Sequence, residues 1–208
     1  MPTEDGPRMG LRERKKQRTR DALSQAAVLL IVERGWGGVT EEDIAAAADV
    51  SVRTFRNYFS GKAEAVAARH VDRVRRIAGE LRARPAAEPL WEAAGNAVRG
   101  QFAPEHDIDR SAHERHRADG IRLMLNEPAL QGELAKAHAA AEAELTAAIG
   151  ERTGTDPVGD LYPKLAAAAL GATLSAVITH CLQAEPPLPL GQVLDEALDR
   201  LTSGLPVP

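Results

Sequence analysis

The stretch Thr40–Phe59, TEEDIAAAADVSVRTFRNYF, decides how this chain is read. Thr40 has the chemistry of a helix N-cap. Its hydroxyl can accept a hydrogen bond from a free amide of the first turn, and Asp43, three residues on, can reach back to complete a capping box. Val39 before the cap and Ile44 after it can form a hydrophobic staple. Glu41, Glu42 and Asp43 lie at the positive end of the helix dipole. The alanines that follow are small enough for another helix to cross closely. Asp49-Val50 makes a turn, with Val50 plugging inward. Ser51 is a second N-cap, and Thr54 falls in the first turn of the helix it opens. Phe55 and Phe59 are four apart, so they share a face that belongs in a core. The opposite face carries Val52, Arg53, Arg56 and Asn57, with Thr54 and Tyr58 at its edges. Two short capped helices around a tight turn have the layout of a helix-turn-helix, which lays its second helix in the DNA major groove. The residue types agree: Arg can grip guanine with two bonds, Asn can do so for adenine, and Val or Thr can touch a thymine methyl. Exposed Arg on a short helix is ordinarily just a solvated face. The two caps at this spacing, the phenylalanine pair and a basic run upstream together select DNA.

That run spans Arg8 to Arg20. It holds Arg8, Arg12, Arg14, Lys15, Lys16, Arg18 and Arg20 against Glu13 alone. It is expected to be an arm, disordered when free and ordered when bound, that follows a phosphate backbone or enters a minor groove. Lys62, just after the second helix, is a further phosphate candidate. Net charge is −4, which argues against a protein that simply coats nucleic acid. The distribution is more informative. Residues 8–20 carry +6 (seven basic, one acidic), and residues 61–208 carry −5 (16 basic, 21 acidic). A basic tip on an acidic body turns one end towards DNA.

From Arg18 to about Val66 the chain resembles the TetR family of transcriptional regulators. The residues that carry the resemblance are Ala26-Ala27, Leu30-Ile31, Gly35-Trp36, Val39-Thr40, Asp43-Ile44-Ala45, Ala48, Val50-Ser51, Thr54-Phe55, Tyr58-Phe59 and Lys62. Two positions depart from the pattern: Arg53 stands where a small residue is common, and Phe55 where Tyr is usual. The operator sequence therefore does not carry over. The resemblance implies that Thr40, Thr54, Tyr58 and Lys62 position phosphates and that Val52, Arg53, Arg56 and Asn57 read bases. Arg18 and Ser51 complete the DNA-facing set. It also implies a DNA-binding head with its basic arm over residues 1–61, and a helical effector-binding and dimerisation domain over 62–208.

At 208 residues, 44% hydrophobic and 27% charged, the chain can bury a real core as an ordinary globule. Cys181 is its one cysteine, so no intramolecular disulfide forms, and a buried thiol is the default. There is no apolar signal-peptide core and no unbroken apolar run of 18 residues; a cytoplasmic protein with no membrane partner is expected. Alanine-rich segments of 3.6 period, separated by Pro and Gly, predict an all-α fold of about nine helices. Their approximate spans are Arg12–Arg34, the two short helices, Lys62–Arg84, Leu90–Phe102, Asp109–Asn126 with a kink at Gly120, Pro128–Arg152, Val158–Gln183 and Leu190–Ser203.

The long helix lines up Leu161, Leu165, Ala168, Ala172 and Ser175, and the last helix Leu194, Leu198 and Leu201 within a strong amphipathic stripe. In the TetR family the last two long helices pair with their copies in a four-helix bundle. These residues are therefore expected at a homodimer interface that sets two heads one DNA turn apart, about 34–36 Å, on a roughly palindromic operator. The resemblance further implies a pocket for a small apolar or amphipathic effector, with candidate lining residues Trp91, Phe102, Ile121, Met124, Leu125, Leu134, His138, Leu174 and Ile178. Binding there would tilt the connecting helix and spread the heads. The segment Arg122–Leu130 resembles one found in many actinobacterial members of the family. Some of these, such as the mycofactocin-type regulators, respond to acyl-CoA thioesters. His106, His113 and His116, with Asp107 and Asp109, do not have metal-site spacing, and no phosphate-cradling glycine motif or nucleophile elbow occurs. No metal, cofactor or enzymatic activity is expected. The leading reading is a repressor released by a small molecule. A ligand-independent activator or architectural dimer is a second reading, and a small-molecule-binding or catalytic helical protein with a vestigial head is a third.

Overall fold

The computed structural model describes residues 10–102, 111–185 and 188–205, apart from the side chains of residues 102 and 111–117. The described residues form nine α-helices and one 3-10 turn, with no strand. The helices are α1 (Leu11–Arg34), α2 (Glu41–Ala47), α3 (Val52–Arg56), α4 (Lys62–Ala83), α5 (Leu90–Phe102), α6 (Ser111–Leu125), α7 (Pro128–Thr153), α8 (Leu161–Gln183) and α9 (Leu190–Thr202); the 3-10 turn, Trp36–Gly38, follows α1.

Most boundaries follow from local chemistry. Pro128 sits in the first turn of α7, where its missing amide is harmless, and Gly154 ends that helix at φ 67° in the left-handed region. α8 starts later than its apolar pattern predicts. The Asp156 carboxylate accepts from the amides of Val158 and Gly159, both at 3.0 Å, and this turn holds residues 157–160 out of the helix. α1 starts at Leu11, one residue before the expected Arg12, so residues 11–20 are its first turns, and the helix expectation, not that of an arm disordered when free, describes this part of the basic run. No Gly or Pro interrupts residues 11–34, and Leu, Arg, Lys, Gln and Ala favour helix. Arg8 lies outside the described residues.

Two apolar cores are built on shared helices. The first encloses Leu23, Ala27, Ile31, Ile44, Phe55 and Phe59, and Met124 of α6 with Leu130 and Ala137 of α7 close it. The second gathers α5, α8 and α9 with the later turns of α4 and α7. α4 gives Ala65–Val71 to the first core and Val74–Leu81 to the second, and α7 is divided in the same way. The two shared helices are clamped by Arg82 Nε on Glu151 at 2.7 Å and Arg75 Nε on Glu144 at 3.3 Å.

Gly120 does not interrupt α6. It lets that helix approach α1 until an added Cβ would stand 2.4 Å from the Val32 carbonyl oxygen. Two residues on, Arg122 donates to the Leu182 carbonyl in the last turn of α8, at 3.0 Å from Nε. α6 thus ties the end of α8 to the back of α1. On α8, Leu161 and Leu165 are 73% and 61% exposed, and Ala168, Ala172 and Ser175 are exposed beside them. α9 differs from its expectation. Leu194 and Leu198 are buried in the protomer's own core, because the α9 stripe packs on α5 and α8, while Leu201 is half-buried.

Where α1 meets α4, Ser24 Oγ and Asp72 Oδ2 are buried and have no hydrogen-bond partner among the described residues. Burial raises the Asp72 carboxyl above its ordinary range, and Asp21 adds to the shift. Its folded pKa therefore exceeds its unfolded value. In the window between the two, the folded state holds a proton that the unfolded state has lost, and stability falls as pH rises. Asp72→Asn is accordingly expected to stabilise the protein at pH 7, with the gain fading as pH drops through the raised folded pKa and gone below the unfolded value of about 4; thermal melts at a series of pH values check this. Gly120→Ala should lower stability by about 1–3 kcal/mol, and an unchanged thermal midpoint would contradict the close crossing of α6 on α1.

Candidate nucleic-acid interface

The head surface is fixed from two caps and a turn. Thr40 Oγ1 accepts from the Asp43 amide at 3.2 Å, and the Asp43 carboxylate takes the Thr40 amide at 2.9 Å and the Thr40 hydroxyl at 2.7 Å. These bonds from Thr40 hold the Asp43 carboxyl below its ordinary pKa. Asp49 turns the chain at φ 53°, a left-handed conformation that Asp tolerates better than most residues, and the Val50 amide donates to the Ala45 carbonyl at 3.0 Å. Ser51 Oγ then accepts from the Thr54 amide at 3.1 Å and lies 2.9 Å from the Thr54 hydroxyl.

α3 is only five residues long, so its orientation depends on what lies behind it. Phe55 and Phe59 are buried to 0% and 1% exposure, with ring centroids 5.9 Å apart. Arg20 of α1 stacks over the Phe59 ring at 4.6 Å. Seated this way, α3 and its exit turn leave Ser51, Arg53, Arg56 and Asn57 exposed, while Val52, Thr54 and Tyr58 are half-buried. Val52 and Tyr58 also pack against the first core.

Besides the Ser51–Thr54 pair, three of the residues singled out in the sequence have partners within the head. Arg56 Nε donates to Glu41 Oε2 at 2.9 Å, which raises the guanidinium pKa. Lys62 Nζ donates to the carbonyls of Trp36 at 2.6 Å and Val39 at 2.9 Å, and lies 4.8 Å from the centre of the Trp36 ring. These contacts tie the start of α4 to the 3-10 turn and use two of the ammonium's three donors. The Thr40 hydroxyl is occupied by its capping box. Arg12, Arg14, Lys15, Lys16 and Arg18 are exposed along the first turns of α1. Beside them runs a polar groove of about 430 Å³, lined by Glu13, Lys16, Gln17, Arg20, Asn57, Tyr58 and Arg75. Sequence spacing could not have shown Arg75 there, because the groove depends on how α1 and α4 pack.

The effector candidates do not converge on one place. Trp91 and Leu174 pack with the second core, while Ile121, Met124, Leu125 and Leu134 pack with the first. Ile178 is half-buried. His138, exposed on α7, meets His70 of α4 edge to face at 4.5 Å. Burial, then His138 and Arg73, lower the His70 pKa to about 4. The side chains of Phe102, His113 and His116, and residues 106, 107 and 109 as a whole, lie outside the described residues. Among the described residues no group of three His, Cys, Asp or Glu side chains is placed to hold a metal.

Comparison with known proteins agrees with this architecture. The family of bacterial regulatory proteins described as tetR family matches residues 23–68, and the family described as the MftR C-terminal domain matches residues 88–206. The HTH-type transcriptional regulator TcmR of Streptomyces glaucescens is 31% identical over 207 residues, covering 96% of this chain and 88% of TcmR. Among solved structures, the fatty acid degradation regulator FadR from Bacillus halodurans superposes with a TM-score of 0.57 at 20% identity, covering 97% of this chain and all of that one. The multidrug binding protein EbrR, in complex with malachite green, gives 0.52 at 20% identity, covering 90% of this chain and 98% of EbrR. The chain belongs to the TetR family and is a DNA-binding transcriptional regulator.

Proposed function

We propose that the protein is a cytoplasmic repressor that binds a roughly palindromic operator as a homodimer and is released by a small apolar or amphipathic effector. The observation that carries this reading is the outward display of Arg53, Arg56 and Asn57 on a helix held from behind by Phe55 and Phe59. In this reading Val52, Arg53, Arg56 and Asn57 read base edges. Arg18, Thr40, Ser51, Thr54, Tyr58 and Lys62 position phosphates, with the third donor of Lys62 turned to DNA. Residues 1–61 form the reading head, and residues 62–208 bind effector and pair the protomers.

The pairing face is the row Leu161, Leu165, Ala168, Ala172 and Ser175. α8 is the one helix among the described residues long and apolar enough to cross a membrane, and a third of its most apolar window is buried. Lys164 at its start, with exposed Ser175, Thr179 and His180 along it, fits a second copy better than lipid. Leu201 belongs at the rim of that face. Leu194 and Leu198 support it from the interior.

The effector reading draws on the division of the candidate residues between the two cores. A guest that separated Ile121, Met124 and Leu125 from Trp91, Leu174 and Ile178, near His138, would act on α4, which belongs to both cores. It would release DNA only to the extent that it bound the displaced state better. EbrR is named as a multidrug binding protein and FadR as a fatty acid degradation regulator, which accords with an apolar or amphipathic ligand. The match to the MftR C-terminal domain agrees with an acyl-CoA thioester as one ligand class to try.

Band shift at fixed salt on the gene's own upstream duplex tests this function, with and without long-chain acyl-CoA or apolar dyes. A specific shift that these ligands weaken supports it, and a shift that they leave unchanged favours ligand-independent regulation. Arg56→Ala should weaken the specific complex about tenfold, corresponding to about 1.4 kcal/mol, with the thermal midpoint unchanged. Equal affinity would remove Arg56 from the reading face. Leu165→Glu should sediment as folded monomers with little operator affinity, whereas Leu198→Glu should unfold the protomer. A dimer formed by Leu165→Glu would refute the α8 face.

A further inference from the structure

We infer that Glu41 is a positioning residue for Arg56: it holds the guanidinium by its Nε edge and leaves both terminal amino groups directed at a guanine. This rests on the assignment of Arg56 to the reading face. Glu41 opens α2 and Arg56 closes α3, so the two meet only because the turn folds the helices together. Nε stands 2.9 Å from Glu41 Oε2. A guanidinium carries five N–H donors, and this bond uses the one on Nε. The four that remain sit on two terminal nitrogens, which form the fork that matches guanine O6 and N7. The acid is the more anchored partner: its side chain is 26% exposed against 65% for Arg56. A free arginine of this length loses many rotamers on reaching a base, and one already held at Nε loses fewer.

The opposite reading gives Glu41 the role of an obstacle, a carboxylate competing with phosphates for Arg56. The two readings differ in what they do to base discrimination. Loss of a negative charge near DNA tightens all duplexes alike, so the ratio between duplexes, not the affinity, is the quantity to read.

The test uses the full chain as wild type, Glu41→Ala, Glu41→Gln and Arg56→Ala. Each selects duplexes from a randomised pool, and each is then titrated with the wild-type consensus and its single-base variants at several salt concentrations. The wild type should require a guanine in each half-site that Arg56→Ala no longer requires. Glu41→Ala should lose about tenfold in discrimination at that same base pair and keep it elsewhere. Glu41→Gln, which retains an acceptor oxygen in the same place, should recover part of the loss. If Arg56→Ala erases the guanine preference while Glu41→Ala keeps the full ratio, Arg56 reads unaided and the inference fails with the reading face intact. If Arg56→Ala leaves the consensus unchanged, the reading face itself fails. Equal loss at every position, or tighter binding with an unchanged ratio, also overturns the positioning role.

Discussion

Burial of Phe55 and Phe59 is the interaction on which the molecule's function depends. A helix of five residues has no stability of its own, since nucleating a turn fixes several dihedrals for one hydrogen bond. The capping bonds at Ser51 and Thr40 lower that penalty at each helix start. The two rings then set the rotation of α3 about its axis, because with both in the first core the cationic side must face outward. Arg20 over Phe59 extends the same anchor to α1, whose exposed basic turns lie next to the reading surface. The head is therefore a surface fixed by its own core, and DNA meets it largely preformed.

Sharing of α4 and α7 between the two cores gives the body its hold on the head. A helix that contributes Ala65–Val71 to one cluster and Val74–Leu81 to the other cannot rotate without disturbing both. The seam between α1 and α4 is less comfortable than the cores on either side. An unpaired serine hydroxyl and a carboxylate oxygen are buried there, and a buried polar group without a partner is destabilising. α6 adds a second tie through the close crossing at Gly120 and the Arg122 bond to the end of α8. Motion in the body thus has two routes to α1, one through packed side chains and one through backbone contact.

The helix-turn-helix was legible because its determinants are local. Caps, turn residues and the four-residue spacing of the rings act within a few positions of one another. The TetR resemblance in the same stretch pointed to the family now shown, and Pro and Gly marked most helix ends in the body. What could not be read was contact across the fold. Glu41 and Arg56 are 15 residues apart, and their pairing exists only once α2 and α3 are crossed. Lys62 looks like a phosphate ligand by position, yet it also closes the 3-10 turn. Leu194, Leu198 and Leu165 all sit on apolar stripes, and periodicity cannot say which stripe a protomer keeps for itself. Glycine at 120 signalled a break by composition, whereas its role is close approach. The basic run reads both as a helix from Arg12 and as an arm disordered when free, because charge that suggests disorder also belongs to residues with good helix propensity.

Methylation protection of guanine N7 on a duplex selected by the protein measures the central claim most directly, since N7 is exposed in the major groove that α3 is proposed to enter. The account predicts protection in two clusters whose centres lie about one helical turn, ~10 bp, apart. Unprotected major-groove guanines in a specific complex, or protection confined to minor-groove adenines, would contradict it.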